Sequence, residues 1–215
     1  MYHTTELLQR RHFIVSALSL ALASYAFAQP PAHILVLGDS LSAEYGLSKG
    51  TGWVALLEKK LAIEKPGTQV TNASVSGDTT AGGRARLPAL LKLHRPDIVI
   101  IELGGNDALR GLPLASTHGN LSAMTQTAQQ AGAKVMLLGM QIPPNYGRKY
   151  AQDFERVFVT VSSQHNGLLL PFFLQGIADT AQAGSFFQPD QIHPNAKAQP
   201  LMLDNVWTLL RRLLP

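Results

Sequence analysis

The residues with most to offer chemically lie in four short stretches. Ser40 ends the run from Ile34 to Ser40, in which four aliphatics give way to Gly38, Asp39 and the serine. Such a turn lifts a hydroxyl to the carboxyl end of a buried strand, where it can act as a nucleophile if a base lies within reach. Asp190 and His193 are three residues apart, so one turn of chain brings the carboxylate to Nδ1 and leaves Nε2 free for Ser40. Of the seven histidines, only His193 has an acidic residue three positions before it. Gly77 sits in a small-residue loop with its amide unobstructed, and Asn106 offers a neutral side-chain donor. Together with the Ser40 amide they could receive the charge of a tetrahedral intermediate. Losing one such donor costs about 10²- to 10³-fold in rate. Nucleophile, base, orienting carboxylate and anion hole are the parts that acyl transfer needs.

These residues must be held by a scaffold, and the apolar pattern predicts one. Ile34 to Leu37, Gln69 to Ala73, Asp97 to Leu103, Lys134 to Gly139 and Leu168 to Leu170 read as strands. Between them lie helical stretches: Gly52 to Ile63, a segment through Leu87, Leu90 and Leu91 that Pro88 either starts or kinks, and Leu114 to Ala131. Tyr150, Phe154, Val157, Phe158 and Val161 mark another helix, and Leu201 to Leu210 a last one. Strands alternating with helices predict an α/β fold: three layers, α/β/α, with a five-stranded parallel sheet in the flavodoxin-like order 2-1-3-4-5. Ligands of such sheets bind beyond the carboxyl ends of the strands, near the switch between strands 1 and 3. Ser40, Gly77 and Asn106 follow strands 1, 2 and 3, and Asp190 and His193 follow strand 5.

The chain has 215 residues, 46% of them hydrophobic, enough for one domain with a sizeable core. Residues 1–28 read as a cleavable export signal, with Arg10 and Arg11 before an apolar run from Phe13 to Ala23 and the small-x-small triplet Ala26 to Ala28. The run is too short for a membrane span, which needs about 20 residues. The arginine pair leaves both the general and the twin-arginine routes open. Residues 29–215 then form a single domain, expected in the periplasm or secreted. The formal net charge is +4 with no basic run interleaved with aromatics, which argues against nucleic acid as a partner. There are no cysteines, so the core alone must hold an exported chain together.

The blocks Gly38 to Leu41, Gly77 within Asn72 to Thr79, Gly105 to Asp107, and Asp190 with His193 resemble, in order, those of the SGNH or GDSL hydrolase family. Ile101 to Asp107, Pro144 to Gly147, Pro171 to Phe173 and Ile192 to Asn195 look like its periplasmic thioesterase, lysophospholipase and arylesterase branch, so the resemblance spans nearly all of the exported domain. It implies a triad of Ser40, Asp190 and His193, an oxyanion hole from Ser40, Gly77 and Asn106, and no metal or other cofactor. It also implies small ester or thioester substrates, including aryl esters and lysophospholipids, with transient lipid contact at most, and a monomer. Tyr146, Phe186 and Phe187 are expected at the substrate. Gln191 departs from the pattern, since relatives often carry Gly there. The departure bears on the flexibility of the loop more than on its chemistry.

Other readings compete. A deacetylase of polysaccharide or peptidoglycan could use the same triad, and a flavodoxin-like module could bind a small ligand without turnover. Gly-x-Gly-x-x-Gly is absent around Ser40, which disfavours a dinucleotide site, and no His-Glu-x-x-His suggests a metal. Asp39, next to Ser40, is expected to face elsewhere as a structural turn residue. Asp78 and Asp107 are expected to stabilise loops.

Overall fold

The computed structural model describes residues 31–142 and 144–215. The expected export signal, residues 1–28, lies outside the described residues. Five strands form one parallel sheet: β1 (His33–Gly38), β2 (Gln69–Asn72), β3 (Ile98–Glu102), β4 (Lys134–Leu138) and β5 (Leu168–Leu170), in the order β2-β1-β3-β4-β5. The strand order is the one the sequence predicts, and the boundaries agree to within a residue. The helices are α1 (Trp53–Glu64), α2 (Thr80–His94), α3 (Gly105–Leu109), α4 (Leu114–Gln130), α5 (Arg148–His165) and α6 (Gln199–Leu210).

Every residue of β3 is buried, and so is every residue of β1 after His33. Burial on both sides requires a helical layer on each face. Helix α1 pairs with α6, while α2 packs on α4 and α4 on α5. Trp53, Phe154, Phe158 and Phe173 are the largest fully buried side chains. Gln199, also buried, accepts the Trp53 amide at 3.0 Å and so ties the start of α6 to the start of α1.

Two local features differ from the periodic reading. Pro88 lies inside α2, which starts eight residues earlier at Thr80 behind a Thr79 cap. An interior proline costs about 3 kcal/mol or more, so the packing of α2 must outweigh it. Gly105 to Leu109, to which the periodic reading assigns no element, forms the short helix α3 directly after β3. Five residues are too few to show a 3.6-residue period, so only the structure reveals it.

Candidate active site

At the carboxyl end of β1 the chain leaves the sheet through Gly38 and turns at once. The Asp39 carbonyl accepts the amides of Ser42 and Ala43, which makes the segment one tight turn with Ser40 at its head. Only glycine fits at 38. A Cβ there would lie 2.8 Å from both Glu102 Oε2 and Ser42 Oγ. At the end of β2 the Asn72 side chain donates to the Ser42 carbonyl at 2.7 Å, fixing the turn from its other side.

His193 comes to Ser40 from the segment before α6. Its Nε2 lies 2.9 Å from Ser40 Oγ and its Nδ1 2.7 Å from Asp190 Oδ2. The other oxygen of Asp190 accepts the amides of Ile192 and His193 at 2.9 and 3.0 Å. These bonds, the His193 amide first, hold the Asp190 carboxyl down to about 2, so it is anionic wherever the imidazole could need it. Gln191 completes the turn with φ of 59°, in the left-handed region.

The base loop is pinned elsewhere too. The amide of Gln188 donates to the His193 carbonyl at 2.8 Å, and its side chain donates to the carbonyls of Tyr45 and Pro194. Gln188 thereby joins the nucleophile turn to the base loop. The ring of Tyr45 stacks over His193, with centroids 4.3 Å apart. Neither Gln188 nor Tyr45 stood out in the sequence, because nothing in their spacing marks them.

For the oxyanion, the Ser40 and Gly77 amides donate to no other group among the described residues. Gly77 has φ of +78°, a conformation that glycine takes without strain. Arg110, just after α3, donates to the Gly77 carbonyl at 2.9 Å and ties that loop to the helix bearing Asn106. Helix α3 is itself anchored by Asp107, whose buried carboxylate accepts the amide and hydroxyl of Thr80. Asp78 pairs with Arg86 at 2.6 Å. Asp78 thus holds a loop as expected, whereas Asp107 joins helices rather than bracing a loop.

Asp39 is buried, and its Oδ2 accepts the side-chain amide of Asn106 at 2.9 Å. The expectation that it faces away from the site fails because alternation holds for extended chain, whereas the chain here is turning. Behind it Glu102, fully buried at the end of β3, was also missed. It is the lone charged residue in the apolar stretch from Ile98 to Leu103, and that isolation was the available signal.

A cavity of about 300 Å³ opens beside Ser40, His193 and Asn106, walled by Leu109, Met140, Ile142, Phe172, Phe187 and Ile192. Of the three residues expected at the substrate, Phe187 lines it. Phe186 packs against the core instead, and Tyr146 stands exposed in a short 3₁₀ turn, Pro144–Tyr146, outside the lining. Position in the sequence near the base could not tell which way each ring points. A larger hollow, about 530 Å³ near Gly132, Lys134 and Asn166, has none of the chemistry-bearing residues in its wall. Proximity to a nucleophile and base, more than size, marks the smaller cavity as the site.

Known proteins resemble this chain over most of its length. Esterase TesA of Pseudomonas aeruginosa is 52% identical over 181 residues, covering 84% of this chain and 89% of that protein. Thioesterase 1/protease 1/lysophospholipase L1 of Escherichia coli is 43% identical over 171 residues, covering 80% of this chain and 79% of that one. A crystal structure of TesA superposes with a TM-score of 0.81 at 52% identity, covering 85% of this chain and 99% of the other. Residues 36–200, which run from β1 through the base loop into α6, match one family throughout. The chain belongs to the GDSL-like Lipase/Acylhydrolase family.

Proposed function

We propose that this protein hydrolyses carboxylic esters and thioesters through an acyl-enzyme on Ser40, with His193 as the base and Asp190 orienting it. The observation that carries this reading is the unbroken hydrogen-bonded series from Ser40 Oγ through the imidazole to Asp190, beside two free amides and an apolar cavity. His193 takes the Ser40 proton as Oγ attacks the acyl carbon, and the Ser40 and Gly77 amides with Asn106 Nδ2 receive the oxyanion. The imidazolium then protonates the leaving alcohol or thiol. Water, activated by the same imidazole, attacks the acyl-enzyme and regenerates Ser40.

The apolar wall from Leu109 to Phe187 fits the hydrocarbon of an acyl chain better than a sugar. The substrates in view are aryl esters, acyl thioesters and lysophospholipids with medium to long chains, and the relatives named as esterase and thioesterase/lysophospholipase support that range. Among the described residues no helix is long and apolar enough to cross a membrane. With the export pattern in residues 1–28, we place the enzyme in the periplasm or outside the cell, as a monomer that meets lipid substrates transiently.

The test is hydrolysis of p-nitrophenyl esters from C2 to C12 by the wild-type protein and its Ser40→Ala variant. Activity that rises with chain length and falls on the order of 10⁴-fold in the variant is the expected result. An exclusive preference for acetate would replace this reading with a deacetylase. Inactivity of both proteins, with no adduct from a fluorophosphonate, would leave a binding module.

A further inference from the structure

Two acidic side chains lie buried beneath the nucleophile, and the reaction as described uses neither. Register pairs Gly38 with Glu102 across β1 and β3, so the Glu102 carboxyl rises directly under the Ser40 turn. Its oxygens are not equivalent. Oε2 accepts the Ser42 hydroxyl at 2.8 Å and the Asp39 amide at 3.3 Å, while Oε1, equally buried, meets no donor among the described residues. An ionised carboxylate would leave one charged oxygen in the core without any compensation, which is costly. A carboxylic acid has the opposite needs: its carbonyl oxygen accepts and its hydroxyl oxygen gives a proton away. The bonding around Glu102 is that of the acid, with the proton on Oε1.

Asp39 is the neighbouring carboxyl, tied to Glu102 by its own backbone amide on Oε2. Its own environment is that of an anion, since Oδ1 accepts the Leu41 amide at 3.0 Å and Oδ2 the Asn106 side chain. The groups facing Asp39 are Glu102 from β3, Asn106 from α3, His193 from the base loop and Asp78 from the loop after β2. Among the described residues no lysine or arginine bonds to either carboxyl, so two negative charges here would be unscreened. We propose that Glu102 and Asp39 share one proton, held on Glu102, and that the ionised Asp39 so maintained is a positioning residue that orients the Asn106 amide toward the oxyanion. The inference rests on the anion-hole reading of Asn106 given above. Burial supports it, driving Glu102 well above the ordinary carboxylate range, with the Asp39 charge adding to the rise. Burial also lifts Asp39, but only to about 6, because the Leu41 and Asn106 bonds favour its ionised form. The unpartnered Oε1 puts the one remaining proton on Glu102.

The arrangement has a catalytic logic. One N–H of Asn106 is spent on Asp39, which fixes the amide plane and leaves the second N–H aimed at the substrate. A fixed donor needs no reorganisation as charge develops. The anion of Asp39 also attracts the imidazolium that forms on His193, offsetting its repulsion of the oxyanion.

Infrared spectroscopy of the full protein in D₂O at pH 7 tests the shared proton. A protonated-carboxyl C=O band is expected in wild type, retained in Asp39→Asn and lost in Glu102→Gln. Its absence from wild type, or its survival in Glu102→Gln, overturns the shared proton. Kinetics test the positioning. Asp39→Asn is expected to lower kcat at least tenfold with KM changed less than threefold, because the Asn106 donor acts mainly on the transition state. Asn106→Ala in the Asp39→Asn background is expected to cost much less than Asn106→Ala alone. Independent, fully additive losses overturn the positioning role. The infrared readout needs no turnover, so a protein with the band and no esterase activity faults the hydrolase reading, while an active one without the band faults this proposal.

Discussion

Asp190 and His193 stand three residues apart because one turn of chain must deliver both ends of a carboxylate, one to the imidazole and one to the backbone amides of Ile192 and His193. That spacing was readable in the sequence. Its backbone requirement was not, since only the structure shows Gln191 at φ of 59°. A side chain in the left-handed region costs on the order of 1 kcal/mol or more, a strain that the glycine expected from the family pattern would avoid and that Gln191 bears. Gln191→Gly is expected to raise stability by about 1 kcal/mol at most, because relief of strain is partly cancelled by the freer unfolded chain. Gln191→Val should destabilise by more than that and lower kcat, since a β-branched residue resists positive φ and must drag Asp190 with it. Chemical denaturation of both variants decides the matter. Equal stability of the valine and glycine variants would show that the turn relaxes and carries no strain.

At the scale of elements, the strands were legible and the short helix was not. Ile34 to Leu37 and Ile98 to Ile101 are apolar without alternation, the mark of strands covered on both faces, so the sheet and its order followed from the sequence. Helix α3 is too short to declare a period, and it is held by one side chain reaching to α2. Asp107 accepts the Thr80 amide and hydroxyl at the head of α2 and lies within 3.4 Å of the Thr117 hydroxyl on α4. Since Asp107 directly follows Asn106, the same bonds that seat three helices also seat the oxyanion donor. Asp107→Ala should cost about 2–3 kcal/mol by leaving buried donors without an acceptor. It should also lower kcat by tenfold or more through displacement of Asn106. A variant with normal denaturation midpoint and normal turnover would show that α3 is held by packing alone.

Across the whole molecule, the carboxylates pull stability in opposite directions as pH changes. Backbone bonds depress Asp190 to about 2, so its contribution is present above the unfolded value near 3.8 and disappears as pH falls toward about 2. Glu44 behaves likewise: burial opposes its ionisation, but the amides of Gly50 and Gly52 outweigh that and hold it low. Asp39 and Glu102 act the other way. Their folded values lie above the unfolded ones, Asp39 at about 6 and Glu102 well above its ordinary value, so unfolding above pH 4.5 releases protons. The stability they contribute is complete below the unfolded values and declines as pH rises through the folded ones. The two trends cross near the unfolded carboxyl values, which places the stability maximum at about pH 4. The chain has no cysteine to mask the effect with a crosslink. Thermal unfolding between pH 4 and 8 should therefore show the highest midpoint near that maximum and a steady fall toward pH 8. Glu102→Gln has no proton to lose, so the fall above pH 5 should flatten in that variant and its advantage over wild type should grow with pH. A wild-type midpoint that stays constant or rises from pH 5 to 8 would mean that Glu102 is already ionised in the folded protein, with its second oxygen reached by solvent.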